Sequence, residues 1–124
     1  MVLEQVHLPD ATFVGRRFDA AVSNSLLHHL RDPAVLWEAV AAVLPEGAPV
    51  AVMDLVRPAS RAAAQELVTQ HASGEAPVLQ EDFCNSLCAA YRPDEVRAQL
   101  AHAGLGHLDV EQTSDRHLLV TGRR

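Results

Sequence analysis

The sequence predicts an α/β fold on a mainly parallel sheet that ends in an antiparallel hairpin. Three observations carry this expectation. Two short apolar runs, Phe18 to Ser23 (FDAAVS) and Pro49 to Val56 (PVAVMDLV), have the length and near-continuous apolarity of strands buried on both faces. Segments with helical spacing follow each run, and strands alternating with helices pair in parallel. The tail holds two further strand-like runs, His107 to Thr113 and His117 to Thr121, parted only by a turn at Ser114 and Asp115. Strands joined so tightly must be antiparallel.

A length of 124 residues fits a single domain, residues 1–124, and a 48% hydrophobic composition is that of a chain with a packed core. The formal charge is −6, with ten cations, all arginine, against sixteen carboxylates. That balance argues against nucleic acid and against anionic membrane surfaces as partners. No apolar stretch approaches the ~20 residues needed to cross a bilayer, and Met1 to Asp10 shows no secretory h-region. The absence of lysine excludes Schiff-base chemistry and a P-loop. Cys84 and Cys88 are too few for a disulfide framework, which makes a reducing, cytoplasmic location the expected one. Their spacing is not that of a structural zinc pair, and no metal is expected.

The elements follow in order. Leu3 to His7 is a candidate short strand, and Pro9, Asp10 and Gly15 mark loop. Phe18 to Ser23 is the first firm strand, closed by Asn24 and Ser25. Asp32 and Pro33 start a helix, because Asp caps free N–H groups and Pro suits the first helical position. Leu36, Val40, Val43 and Leu44 give it one apolar face, and Pro45 and Gly47 stop it. After the Pro49–Val56 strand, Pro58 and Ser60 introduce a helix over about Arg61 to His71, broken by Ser73 and Gly74. Glu81 to Tyr91 is a third helix, with Phe83 and Leu87 on one face. Pro93, Asp94 and Glu95 begin a fourth, with Val96, Leu100 and Ala103 as its buried stripe and Gly104 as its stop.

Taken together, these residues resemble the C-terminal half of a class I S-adenosylmethionine-dependent methyltransferase. The match opens at Phe18-Asp19 and runs through Leu27-His28-His29-Leu30 and Arg31-Asp32-Pro33. It continues through Leu44-Pro45-Glu46-Gly47-Ala48, which stands where the family usually has LKPGG. It closes on Arg92 to Leu105 and the terminal hairpin. The resemblance spans about Phe18 to Arg123, and its weight lies in the ordered set rather than in any one motif. It implies a partial Rossmann-like methyltransferase sheet with helices on both faces. The departure is large: no glycine-rich turn follows a first strand, and the acid that ends the second strand in the family is missing. The chain therefore reads as beginning near the third strand, with Leu3 to His7 as its remnant. On this reading Phe18 to Ser23 is left as an unpaired apolar edge, and such edges drive association. Pairing with a second copy, or with a separate N-terminal half, is expected there; a truncated product or a late start codon is the other expectation.

The resemblance also implies site residues. The cofactor would be S-adenosylmethionine, held by His7 and by the Ser23-Asn24-Ser25 loop, since ligands of open α/β sheets sit beyond the carboxyl ends of the strands. Plain turn chemistry accounts for the same loop residues. His28 and His29 are candidate catalytic bases. Being adjacent, they point about 100° apart on a helix, so at most one faces a cleft; the other reading packs one against the sheet and leaves the other in solvent. Asp54 interrupts an apolar strand. It is expected either to contact substrate at the cleft mouth or to pair with Arg57 or a helix N-terminus. Phe83 and Tyr91 lie in the segment that covers substrate in the family, and core packing explains them equally well. Trp37 reads as packing.

The implied activity is methyl transfer to a small-molecule acceptor, with this chain alone binding cofactor weakly or not at all. A non-catalytic subunit that associates through its exposed edge is the alternative. A hydrolase is disfavoured, because Ser23 and Ser25 lack the flanking glycines of a nucleophile elbow.

Overall fold

In a computed structural model, which describes residues 1–10, 13 and 15–124, four strands and four helices follow one another. They are β1 (Ala21–Asn24), α1 (Ala34–Val43), β2 (Pro49–Leu55), α2 (Arg61–Ala72), α3 (Pro77–Ala89), α4 (Pro93–His102), β3 (Asp109–Gln112) and β4 (His117–Arg123). A single 3₁₀ turn, Leu27–His29, links β1 to α1. The strand order is β1-β2-β4-β3. β1 and β2 are parallel, and β4 pairs antiparallel with both β2 and β3. The α/β class holds, but the sheet is mixed and its parallel share is smaller than expected. The reason is that the hairpin returns through β4 directly beside β2, which makes two of the three pairings antiparallel. Leu3 to His7, expected as a strand, lies outside every strand.

The register sorts the side chains. Val50 and Val52 of β2, with Val110, Leu118 and Val120, face Leu36, Trp37 and Val40 of α1 and Val96 and Leu100 of α4 in the main core. A smaller cluster joins Leu55 to Ala64, Leu67 and Val68 of α2 and Cys84 and Leu87 of α3. Helices thus stand on both faces, but unequally. The α2–α3 pair covers its face only around Leu55, at the carboxyl end. The rest of that face, Val22, Ala51, Met53 and Leu119, lines a shallow hollow of about 220 Å³ that no helix of the described residues covers. Val22 is 82% exposed.

Local chemistry sets the helix starts. Asp32 Oδ1 accepts from the Ala34 N–H at 3.0 Å, and the Ser60 hydroxyl caps α2 by accepting from the Ala63 N–H at 3.0 Å. α3 begins four residues earlier than expected, at Pro77, because proline starts it without losing a hydrogen bond and Gln80 Nε2 ties back to the Ser73 and Glu75 carbonyls. Its first turn carries exposed Val78 and Leu79, which hid it from a search for buried faces. Gly122 takes φ +144°, and a Cβ there would sit 2.8 Å from Leu108 Cδ2, so glycine is needed where β4 meets the core.

The hairpin turn holds a pH-sensitive group. His117 Nδ1 lies 3.0 Å from the Ser114 hydroxyl, and burial, with Arg116 adding to it, holds the His117 pKa below its ordinary value. The unfolded chain therefore binds this proton at a higher pH than the folded one. The His117 contribution is complete above the unfolded value of 6.5 and is lost as the pH falls through it toward the lower folded value. Asp115, held low by hydrogen bonds from His71 and Arg116, acts only further down, in the carboxylate range. Urea midpoints taken at about pH 7.5 and about pH 5.5 should show a loss on acidification that His117→Gln reduces. An unchanged pH dependence in that variant would contradict this assignment.

Candidate functional site

Parallel pairing puts the carboxyl ends of β1 and β2 on one rim of the sheet. The chain leaves β1 through Ser25, whose φ of 58° turns the backbone left-handed, and the Ser25 N–H donates to the Met53 carbonyl at 3.0 Å. The following 3₁₀ turn is pinned by Leu27, which is buried in the main core. This delivers His28 onto the end of β2.

Asp54 is waiting there. It lies near the carboxyl end of β2 on the core-facing side, with Val50 and Val52, and is 2% exposed. A carboxylate so placed is costly unless donors surround it. Three do: His28 Nδ1 at 2.5 Å, the His28 N–H at 3.3 Å and the Leu55 N–H at 2.7 Å. Asp54 thus pairs with His28, not with Arg57, which turns to Glu95 at 2.6 Å. A carboxylate can only accept, so His28 Nδ1 donates to Asp54, which turns Nε2 away from that contact. Among the described residues no protein group takes Nε2, nor is it a sealed, unpartnered atom.

His28 and His29 line a cleft of about 340 Å³ together with Asp82, Asn85, Ser86 and Ala89 of α3. The two imidazoles stand 4.0 Å apart, centre to centre, with His29 exposed. Of the residues expected at the site, the structure brings His28 and Asp54 into contact and sets His29 beside them. Ser23 and Asn24, expected in a loop, are the last two residues of β1, and only Ser25 lies beyond it. The Ser25 hydroxyl donates to Asn24 Oδ1 at 3.1 Å, and the Ser23 hydroxyl is buried with no hydrogen-bond partner among the described residues. Asp54 is not at the cleft mouth but beneath His28. Phe83 packs on the α2–α3 cluster and Tyr91 on the main core, and neither lines the cleft; burial, with Glu95 adding to it, pushes the Tyr91 hydroxyl above its ordinary pKa. His7 is exposed in the N-terminal segment.

Asp82, Asn85 and Ser86 escaped the sequence reading. The signal was present, since Phe83 and Leu87 mark the buried face of α3 and these polar residues occupy the face beside it. Among the described residues, no group of three or more His, Cys, Asp or Glu is placed to hold a metal ion.

No protein-family model and no curated protein matches the chain. Solved structures do. An O-methyltransferase family protein from Burkholderia thailandensis superposes with a TM-score of 0.61 over 98% of this chain, at 18% identity. A putative O-methyltransferase from Nostoc punctiforme matches at 0.53 over 87%, with 16% identity. An arsenic(III) S-adenosylmethionine methyltransferase from Chlamydomonas reinhardtii matches at 0.55 over 91%, with 17% identity. The chain has a class I S-adenosylmethionine-dependent methyltransferase-like fold. It spans about a third of the length of these structures, 35%, 33% and 39% respectively.

The donor set present here fits only part of S-adenosylmethionine. At the end of β1 the Asn24 and Ser25 side chains are exposed and polar, while the Ser23 hydroxyl is sealed from solvent. No glycine-rich strand-to-helix turn exists in the sequence to bring backbone against the remainder of the cofactor. Among the described residues no helix is long and apolar enough to cross a membrane.

Proposed function

We propose that the chain forms the acceptor-side part of an S-adenosylmethionine-dependent methyltransferase acting on a small molecule, with His28 as the general base. The observation that carries this is the His28–Asp54 pair at the carboxyl rim, with Nε2 left free beside a cleft. S-adenosylmethionine supplies an electrophilic methyl group when bound. What such a transfer asks of the protein is placement, exclusion of water and a proton acceptor. His28 Nε2 takes the proton of an acceptor hydroxyl or amine, and the Asp54 carboxylate steadies the imidazolium so formed. Asp54 is a positioning residue, because it touches His28 and not the cleft.

The exposed Val22, the open hollow and the free edge of β1 support a second component of the proposal. The cofactor crevice is completed along β1 by another polypeptide segment, either a separate N-terminal half or a second copy, in a cytoplasmic enzyme. The same surface favours the alternative reading, a non-catalytic methyltransferase-like subunit that associates through this edge.

The test is methyl transfer by the protein isolated under native conditions with whatever it associates with, using labelled S-adenosylmethionine and a panel of small hydroxyl and amine acceptors. His28→Ala should reduce the turnover number about 10²- to 10⁴-fold, the range for loss of a general base. Transfer unaffected by His28→Ala would remove the base assignment. A discrete complex without transfer or cofactor binding would favour the subunit reading.

A further inference from the structure

Beside the His28 cleft, past Asn85 and Cys88 of α3, three arginines converge. Arg57, just after β2, Arg61, at the start of α2, and Arg92, just before α4, line a cleft of about 210 Å³ with Ser60 and Cys88. Among the described residues no carboxylate lines it. Its counter-charge is small and lies to one side. Glu95 Oε1 serves two of the three arginines at once, Arg57 Nη2 at 2.6 Å and Arg92 Nε at 3.7 Å. Asp94 reaches Arg92 only at 3.6 Å, from the exposed rim. Arg61 has no carboxylate within ion-pair distance among the described residues. It is held instead by Asn85 Oδ1 at 3.3 Å and Cys88 Sγ at 3.9 Å.

Set against the Glu95 and Asp94 carboxylates, the three guanidinium groups leave one positive charge in excess, in a chain of net charge −6. Like charges brought together around a concave, partly desolvated space repel one another, and an anion in that space relieves the repulsion. Guanidinium forks match oxyanions geometrically, two N–H groups to two oxygens. The backbone at the start of α2 adds N–H groups that Ser60, which caps only the Ala63 N–H, leaves free.

We propose that this cleft is a binding site for a phosphate-sized dianion, either free phosphate or the phosphoryl group of a small ester. It is separate from the His28 cleft, and it stands or falls independently of the methyl-transfer reading. The half-buried Cys88 thiol on its wall gives it a chemical reporter, since the other cysteine, Cys84, is buried.

Inorganic phosphate titrated into the full chain at about pH 8, with ionic strength held constant by sodium chloride, should give saturable calorimetric binding. It should also shift the backbone amide resonances of Arg61 and Ala62. Arg61→Ala, at an exposed helix start where folding is not at stake, should weaken binding about 10- to 100-fold, and Arg92→Ala should do so too. In the unaltered chain, phosphate should slow alkylation of Cys88 by iodoacetamide. Glycerol phosphate binding more tightly than inorganic phosphate would assign the ligand as an ester, and the reverse order would assign free phosphate. The proposal is overturned if phosphate acts no differently from chloride at equal ionic strength, if both arginine variants bind as the parent does, or if Cys88 alkylation is indifferent to phosphate.

Discussion

Asp54→Ala should lower the unfolding free energy by about 3–5 kcal/mol, the largest effect expected of any polar substitution in this chain. The magnitude follows from what is left behind. Asp54 is 2% exposed and accepts from one ring nitrogen and two backbone N–H groups. Truncation leaves all three without an acceptor in a site too buried for water to replace it freely. An unsatisfied buried donor costs about 1–3 kcal/mol. Asp54→Asn keeps one oxygen acceptor and should cost less, but its amide group opposes the donors. Urea denaturation checks this: the midpoint should fall with little change in slope. Asp94→Ala, whose side chain is 74% exposed and whose nearest cation is 3.6 Å away, is the matched control and should stay within about 0.5 kcal/mol. An Asp54→Ala loss no larger than that control would mean that the His28–Asp54 contact organises nothing. Domains of this size hold about 5–15 kcal/mol in all, so Asp54→Ala should approach the limit of folding.

Trp37→Ala should cost a similar amount, about 3–5 kcal/mol, for a different reason. Trp37 is the one tryptophan of the chain, is fully buried on α1, and packs within the main core. Its Nε1–H donates to Gln99 Oε1 of α4 at 3.0 Å, so one side chain both fills the core and ties the two helices that cover this face. Truncation removes the ring and leaves Gln99 half-buried without its donor. Trp37→Phe separates the two contributions. It keeps most of the volume, loses the hydrogen bond, and should cost about 1–2 kcal/mol. Far-ultraviolet circular dichroism must follow the unfolding, because the substitution removes the fluorophore. A Trp37→Phe cost equal to that of Trp37→Ala would place the weight on the hydrogen bond rather than on packing.

Much of the fold was legible because its signals are local. The nearly unbroken apolar run Pro49 to Val56 gives β2, the Asp32-Pro33 and Ser60 starts give α1 and α2, and Pro93 with two acids gives α4. The hairpin follows from the short connection around Ser114 and Asp115. What failed was non-local. Nothing local in Leu3 to His7 says whether a neighbouring strand will accept it, and the segment lies outside the sheet. The insertion of β4 between β2 and β3 depends on tertiary pairing, which periodicity does not encode. The site divides the same way. His28 and Asp54 were each singled out, one by its place after β1 and the other as a charge in an apolar strand. Their contact spans 26 residues of sequence and needed the parallel register to become visible. Phe83 and Tyr91 were ambiguous because aromatic side chains at helical spacing serve cores and pockets alike. Asp82, Asn85 and Ser86 were not legible because polar residues beside the buried face of a helix look the same in sequence whether they face solvent or a cleft.

The proposed function rests on one claim: the carboxyl ends of β1 and β2 would form part of a cofactor and acceptor site, and the open edge of β1 would be where the rest of that site joins. The most direct test titrates S-adenosylhomocysteine into the full chain while amide spectra and light scattering are recorded on the same sample. The expected result is a saturable response centred on Ser23, Asn24, Ser25 and His28. It should be weak in a monomer and tighten to the micromolar range in samples where β1 is paired with a second copy or a completing segment. The contrary result is a folded chain of defined mass in which these four residues do not respond to S-adenosylhomocysteine in either state. That would leave a methyltransferase-like fold without the methyltransferase site.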